Sequence, residues 1–271
     1  MSSPQTPVLI SVGDLAQQLS QGPPRLLDVR WTLTAPDGSA AYRAGHIPGA
    51  VYVDLDAELS DHSVAGRGRH PLPSAAALQD SARRWGLWPG DPVVVYDDWN
   101  AQAAARAWWL LRAAGLEDVR ILDGGWSAWR AAGLPTESGD VTPEPGSLSI
   151  SGLDAMPVVG ANEIAVQADS AEHAVLDARA AARYRGDEEP LDPRAGHIPG
   201  AVSAPTADNL TADGVFRSAA DLRARFAELG AGRVPVTVYC GSGITAAHDI
   251  AALAIAGYEA AVYPGSCAEW W

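Results

Sequence analysis

Short apolar runs alternate along the chain with longer stretches whose apolar residues recur at a helical period. Four runs rich in Leu, Val and Tyr have the length and composition of buried strands: LLDVRW, VVVYDD, VLDARA and VTVYCG, at 26–31, 93–98, 175–180 and 236–241. Alanine-rich stretches over 101–114 and 246–256 are predicted helices, each followed by a glycine, Gly115 or Gly257, which commonly ends helices. This alternation predicts an α/β protein whose mostly parallel sheets carry helices on both faces.

The order of the motifs indicates that the chain contains one domain twice. The segment AGHIPGAV at 44–51 recurs at 195–202, and LDGGWSAW at 122–129 corresponds to YPGSCAEW at 263–270. Because the spacing between equivalent motifs shrinks along the chain, we place an insertion in the first copy, within 54–73. We predict a first domain over 1–135, an exposed linker rich in Pro, Gly, Ser and acids over 136–158, and a second domain over 159–271.

Composition and charge narrow the function classes. The chain of 271 residues is 47% hydrophobic, but no segment approaches ~18 consecutive apolar residues and no basic stretch precedes an apolar one near the N-terminus. We therefore expect no signal peptide, no membrane partner and a cytoplasmic location. The net charge of −14 argues against a nucleic-acid partner. Two cysteines without zinc-ligand spacing predict free thiols and no metal site.

One of the two cysteines lies where chemistry is expected. Cys240 follows the strand VTVY and precedes a predicted helix, and ligands of parallel α/β sheets bind beyond this end of the strands. A lone cysteine is often only a small buried residue. Here, however, glycines at 241 and 243 let backbone N–H groups turn toward the sulfur, and the helix dipole would favour a thiolate. In the first copy Asp97 takes the equivalent position, so that copy lacks the nucleophile.

The tandem copies, the DVR and DAR segments, the two GHIPGA segments, LDGGWSAW and CGSGITA together resemble the two-domain rhodanese-type sulfurtransferases, in particular the 3-mercaptopyruvate sulfurtransferases. The resemblance implies two rhodanese-like domains, of which the first is inactive. It also implies that Cys240 takes sulfur from 3-mercaptopyruvate as a persulfide, releases pyruvate, and passes the sulfur to a thiol, a thioredoxin-like protein or cyanide. No metal or organic cofactor is implied.

The resemblance also implies a proton relay. Its members are Ser242, Asp56 and His70, since the family's serine, aspartate and histidine correspond to these positions. Read from the sequence alone, Ser242 could equally bond to the backbone of its own turn. Two neighbouring residues compete for the other roles, Asp54 for Asp56 and His62 for His70.

An anionic sulfur donor needs a cation, and the stretch between the second DAR and GHIPG segments offers three arginines. The family's first donor-binding arginine falls on Arg183. Arg194 is a possible second one, and Arg185 is a structural or auxiliary residue. Exposed arginines on loops are also often merely solvated. The loop residues expected to surround the donor are Gly241, Gly243, Ile244 and Thr245.

Two further enzyme and binding hypotheses stay open. Thiosulfate:cyanide sulfurtransferases share the fold and nucleophile but resemble this chain less, because they carry basic residues directly after the cysteine. The loop after Cys240 has no charged residue, which favours 3-mercaptopyruvate. A non-catalytic module that binds a partner or carries sulfur is the third hypothesis.

Three residues look chemical for other reasons. His46 and His197 lie in matched GHIPG segments of both copies, including the copy without a nucleophile, and this favours a role in the turn. Cys267 takes the place of Trp126 of the first copy. We interpret Cys267 as a packing residue, with a resolving thiol for Cys240 as the alternative.

Overall fold

The computed structural model describes residues 7–271; residues 1–6, part of the N-terminal stretch searched for a signal peptide, lie outside this range. Two compact units make up the described chain. The first comprises the described part of Met1–Ser60 together with Pro73–Ala155, and the second comprises Asp61–Leu72 with Met156–Trp271. We call Asp61–Leu72 the 61–72 segment. It falls within the stretch where the sequence predicted an insertion, while the predicted domain limits stay a prediction.

The first unit is built on a five-stranded sheet in which every strand pair is parallel, in the order β1-β5-β4-β2-β3. Its strands are β1 (Leu9–Ile10), β2 (Arg25–Asp28), β3 (Val51–Tyr52), β4 (Val93–Tyr96) and β5 (Val119–Leu122). Its helices are α1 (Val12–Leu19), α2 (Ser39–Ala44), α3 (Leu55–Glu58), α4 (Ala75–Arg84), α5 (Gln102–Ala113) and α6 (Gly125–Ala131).

The second unit repeats this plan with a four-stranded parallel sheet in the order β7-β6-β8-β9. Its strands are β6 (Ala174–Asp177), β7 (Val202–Ser203), β8 (Val236–Tyr239) and β9 (Ala261–Val262). Its helices are α7 (Ala161–Ala168), α8 (Ala181–Arg185), a 3₁₀ helix (Thr206–Asn209), α9 (Ala219–Glu228), α10 (Ile244–Ile255) and α11 (Ser266–Trp270). A single parallel bridge between Val158 and Val262 stands where β1 pairs with β5 in the first unit.

The predicted strands and helices are confirmed within a few residues. All four residues of β4 and of β8 are buried, as expected for central strands of a parallel sheet covered on both faces. Gly115 and Gly257, which follow α5 and α10, have φ of 88° and 79°, the left-handed conformation that glycine adopts most easily. None of the helices between residues 7 and 271 has both the length and the apolar character needed to cross a membrane.

The two GHIPG turns are held by the same contacts. Nδ1 of His46 lies 2.9 Å from the carbonyl oxygen of Tyr42, and the two rings stack at 4.1 Å. In the second unit, Nδ1 of His197 lies 2.7 Å from the carbonyl oxygen of Tyr184, with the rings at 3.8 Å. Both histidines therefore stabilise their turns, as the matched sequences predicted.

The chain after α6 runs along the first unit as far as residue 155. Most of these residues are exposed, but their backbone is hydrogen bonded to the unit. The N–H of Gly146 donates to the carbonyl oxygen of Arg83 at 2.8 Å, and that of Ala155 donates to Ala113 at 3.0 Å. Backbone groups on an otherwise irregular segment are satisfied in this way.

Helix α10 carries a buried carboxyl group away from the cysteine loop. Asp249 is fully buried, and its Oδ1 accepts a hydrogen bond from Nδ2 of Asn209 at 2.5 Å. Burial raises the pKa of Asp249 to about 7, although Arg225 and the Asn209 bond act to lower it. The folded protein therefore holds this proton over a pH range in which an unfolded aspartate, with a pKa of about 3.9, has lost it.

We predict that Asp249→Asn changes how stability depends on pH. Because its pKa is raised on folding, Asp249 favours the folded state fully below about pH 4, and this contribution is lost as pH rises toward 7. The wild-type free energy of unfolding should fall across this range relative to the variant, by on the order of a few kcal/mol. Urea titrations of both proteins at pH 5 and pH 8 measure the difference, and parallel pH profiles would contradict it.

Candidate functional site

Cys240 lies between the end of β8 and the start of α10. Its side chain is 1% exposed, and the N–H of Gly243 donates to Sγ at 3.1 Å. Gly243 has φ of 82°, and a Cβ at this position would lie 2.4 Å from the carbonyl oxygen of Pro264. Only glycine fits the turn without displacement, so the sequence Gly-Ser-Gly is what allows the backbone to curl around the sulfur. Ile244 and Thr245 form the first turn of α10 directly behind it.

Ser266, at the start of α11, contacts both the backbone and the sulfur of Cys240. Its hydroxyl oxygen accepts the N–H of Cys240 at 3.0 Å, donates to the carbonyl oxygen of Tyr263 at 2.9 Å, and lies 3.9 Å from Sγ. Ser266 is fully buried with φ of 53°, a strained value for a residue with a side chain. Ser266 was not among the site residues predicted from the sequence. The equivalent residue of the first copy, Gly125, has φ of 57° and was a signal that this position needs a left-handed backbone.

The first unit shows what fills the same turn when the cysteine is absent. Oδ1 of Asp97 accepts the N–H groups of Trp99 and Ala101 at 2.8 and 2.9 Å. Oδ2 accepts those of Ala103 and Ala104 at 2.8 and 2.9 Å. Burial raises the pKa of Asp97 to about 6, against the lowering effect of these four bonds. The turn in the first unit is thus closed by the protein's own carboxyl group.

The 61–72 segment brings a histidine to the cysteine loop. Nδ1 of His70 lies within hydrogen-bond distance of Oγ of Ser242, at 2.9 Å, and both side chains are buried. The competing residue His62 is exposed, with its ring 5.7 Å from that of His70. The structure therefore places His70, and not His62, on the predicted serine.

The two candidate aspartates lie at the start of α3 in the first unit. Asp54 caps this helix: its Oδ1 accepts the N–H of Ala57 at 3.0 Å, and its own N–H donates to Glu58 at 3.1 Å. These two hydrogen bonds give Asp54 a structural role as the N-cap of α3. Asp56 is half-buried in the first helical turn, and its part in the relay stays a prediction.

Two guanidinium groups approach the loop at Gly241. A Cβ on this glycine would lie 3.0 Å from Nη2 of Arg69 and 3.4 Å from Nη1 of Arg183. Arg183 also donates to Glu189 at 2.7 Å and to Asp192 at 2.9 Å, and Arg69 forms a short ion pair with Asp192. Arg183 was expected at the loop, whereas Arg69 was not. The loop carries no charged residue of its own but is flanked by two cations.

The other two candidate arginines point elsewhere. The Arg194 guanidinium lies 5.7 Å above the Trp271 ring. Arg185 pairs with Asp187 at 2.8 Å, and the side chains of this pair are both more than half exposed. The donor-binding role of Arg194 stays a prediction, and its contact with Trp271 does not support that role.

Cys267 is fully buried, and its N–H donates to the carbonyl oxygen of Cys240 at 3.1 Å. Burial raises the pKa of the Cys267 thiol well above its usual value, which suits a packing residue and keeps the thiol protonated. In the part of the chain that the structure describes, no group of three or more His, Cys, Asp or Glu side chains is arranged to hold a metal ion.

The arrangement combines a thiol that accepts a backbone N–H, cations beside it, and a serine–histidine pair on the same loop. Such a site can stabilise a sulfur anion and hold a small anionic reactant next to it. The histidine can donate or accept a proton at the serine hydroxyl.

Comparison with known proteins agrees with this chemistry. Residues 11–132 and 161–271 each match the rhodanese-like domain. A putative thiosulfate sulfurtransferase of Mycobacterium tuberculosis is 51% identical over 97% of this chain and 93% of its own length. A probable 3-mercaptopyruvate sulfurtransferase of Pseudomonas aeruginosa is 44% identical over 100% of this chain and 96% of its own.

A solved structure shares the fold of this chain. The crystal structure of SseA from Escherichia coli, from a study of 3-mercaptopyruvate sulfotransferases, superposes with a TM-score of 0.85 at 32% identity. The match covers 96% of this chain and 99% of that one. This chain therefore belongs to the rhodanese-like family, with two copies of the domain, and is a sulfurtransferase.

Proposed function

We propose that the protein takes sulfane sulfur from 3-mercaptopyruvate onto Cys240 and passes it to a thiol acceptor. One observation carries this proposal: the Cys240 sulfur accepts the Gly243 N–H at 3.1 Å on the same loop that Arg183 approaches. A nucleophilic sulfur and a group that binds a carboxylate are thereby adjacent. The names of the Pseudomonas and Escherichia relatives support the same donor.

In the first half-reaction the Cys240 thiolate attacks the sulfur of the donor. The new S–S bond forms as the carbon–sulfur bond breaks, and its electron pair leaves on carbon as the enolate of pyruvate. Arg183 holds the donor carboxylate, and the Gly243 N–H stabilises the Cys240 thiolate before it attacks. The products are a Cys240 persulfide and the enolate.

The enolate needs a proton before it leaves as pyruvate. His70 and Ser242 lie 2.9 Å apart at the loop and supply this proton in our proposal, with Asp56 as the third member of the relay. A thiol, a thioredoxin-like protein or cyanide then attacks the outer sulfur and restores the Cys240 thiolate. These steps use no metal or organic cofactor, and we place them in the cytoplasm without a nucleic-acid or membrane partner.

Thiosulfate is the second candidate donor, and two observations favour it. The Mycobacterium relative at 51% identity carries that name. In addition, Arg69 places a second cation beside a loop that the sequence had indicated to be uncharged. A non-catalytic role is not supported, since the matched relatives are named as enzymes.

We predict that Cys240→Ser abolishes turnover and the persulfide. After exposure to donor, the wild-type protein should gain about 32 Da, one sulfur atom on the thiolate nucleophile, as measured by intact-protein mass spectrometry. Cys267→Ser is the matched control and should keep both the adduct and most activity, because the Cys267 thiol is buried and protonated. An adduct on the Cys240→Ser protein would show that another thiol accepts the sulfur.

A direct comparison of donors tests the choice of substrate. With cyanide or a dithiol as acceptor, we expect the wild-type kcat/KM for 3-mercaptopyruvate to exceed that for thiosulfate by at least about tenfold. A preference for thiosulfate would show that 3-mercaptopyruvate is not the preferred donor, but it would not contradict sulfur transfer through a Cys240 persulfide.

We predict that His70→Ala separates the two donors. Sulfite leaves from thiosulfate without needing a proton on carbon, whereas the pyruvate enolate must be protonated. Single-turnover release of pyruvate from 3-mercaptopyruvate should slow by about a hundredfold, and release of sulfite from thiosulfate by much less. His62→Ala, at the exposed neighbour, should match the wild type. Equal losses with both donors would mean that His70 only supports the loop.

A further inference from the structure

The guanidinium groups at Gly241 belong to a cluster of buried and half-buried charges in the second unit. Asp192 joins the two arginines at the loop, since it accepts from Nη1 of Arg69 and from Nη2 of Arg183. We call the whole set the charge cluster; its members are Arg69, Arg179, Arg183, Asp177, Glu189 and Asp192.

The hydrogen bonds leave specific N–H groups turned toward the loop. Arg183 uses Nε and Nη2 for its acidic partners; its Nη1 lies 3.4 Å from the Cβ position of Gly241, and its Nη2 lies 3.6 Å from the same point. Arg69 uses Nη1 for Asp192, so its Nη2 is the nitrogen at 3.0 Å. The missing side chain of Gly241 makes room for both. Two N–H-bearing nitrogens from different arginines thus lie next to the reactive loop, where one carboxylate or sulfonate can bind both.

The cluster carries no excess charge, because three guanidinium groups face three carboxylates. The Asp192 side chain is 0% exposed and the Glu189 side chain 5%, so water screens them little. Burial acts to raise the pKa of Glu189, but hydrogen bonds from Arg183 and from backbone N–H groups outweigh it and lower the pKa. A donor at the loop therefore meets two cations whose charge the acids largely balance.

Comparison of the two copies shows where these charges come from. Arg30 is the first-unit equivalent of Arg179, and its Nη1 donates to the carbonyl oxygen of Ala41 at 3.0 Å, whereas Nη1 of Arg179 donates to Glu189 at 3.2 Å. The stacked Tyr and His of the GHIPG turn are four positions apart in the first copy and thirteen in the second. The longer second-copy loop supplies Glu189 and Asp192. Arg69 comes from the 61–72 segment.

We propose that Asp192 determines whether the protein prefers a sulfur donor with one negative charge or with two. Asp192 holds Arg69 and Arg183 together at Gly241 and cancels part of their positive charge. Arg69 binds the donor beside Arg183, and Asp192 is a positioning residue. This inference rests on the proposed transfer from a small anionic donor through Cys240. A donor with one negative charge gains hydrogen bonds from both arginines, whereas a second negative charge is opposed by the buried acids.

Two substitutions change the cluster in opposite directions. Asp192→Asn removes one negative charge with little change of shape, and Arg69→Gln removes one positive charge. The exposed pair on the same loop gives matched controls, Asp187→Asn and Arg185→Gln, which change the same charges away from the loop. The measurement is the ratio of kcat/KM for thiosulfate to kcat/KM for 3-mercaptopyruvate, with cyanide as acceptor and circular dichroism as the check on folding.

We expect Asp192→Asn to raise this ratio by roughly tenfold and Arg69→Gln to lower it by a similar factor. Each variant removes one buried charge near the donor, and such a charge changes the binding of a second negative charge on the donor by about this much. The controls should stay within about twofold of the wild type. If both variants change the ratio in the same direction, or if neither variant changes it, the inference is overturned. If Asp192→Asn does not fold, Arg69→Gln must still lower the ratio for the inference to stand.

A binding measurement separates this inference from the proposed function. In the Cys240→Ser background, calorimetry with thiosulfate and with pyruvate needs no sulfur transfer. Asp192→Asn should tighten thiosulfate relative to pyruvate by about tenfold. If the wild type forms no persulfide with either donor, the proposed function fails while this result still tests the role of Asp192. If persulfide forms and neither variant shifts the relative affinity, only the inference fails.

Discussion

The turn between the central strand and the following helix leaves several buried backbone N–H groups that need an acceptor. In the first unit the Asp97 carboxyl group takes four of them, and the turn is closed. In the second unit the sulfur of Cys240 accepts from Gly243, and the strained Ser266 accepts the N–H of Cys240 itself. The same constraint is therefore met by a carboxyl group in one copy and by a thiol and a serine hydroxyl in the other.

The duplicated scaffold accounts for the sheets, the GHIPG turns and the Arg179–Asp177 pair, which Arg30 and Asp28 repeat, but Arg69, Glu189 and Asp192 lie in segments that only one copy has. The 61–72 segment is tied to the second unit by contacts of Arg69 with Asp192 and of Arg67 with Glu269. The lengthened loop before the second GHIPG segment carries the acids. Two additions, made in different copies, meet at the Cys240 loop and determine its electrostatics.

Most of the fold could be predicted from the sequence, because short continuous apolar runs alternate with alanine-rich helical stretches and this pattern occurs twice. Cys240 and Arg183 were predicted as site residues because they lie in stretches that resemble the family's motifs, and the structure brings Arg183 to Gly241, next to Cys240. Arg69 could not, since it lies in an irregular exposed-looking segment and its partner is 123 positions away. Ser266 has a role only through its φ and its bond to Cys240, although Gly125 at the matched position was a usable hint.

The chain path also bears on how such a protein can evolve. The first copy has no nucleophile, and its turn is closed by Asp97, so by itself it is free to decay or be lost from the gene. Yet the codons for Arg69 and His70 lie inside that copy, flanked on both sides by residues of the first unit. A gene shortened to the second copy would lose both side chains. If sulfur transfer runs through Cys240 as proposed, selection on that chemistry also preserves part of a domain that has no cysteine of its own at the matching turn.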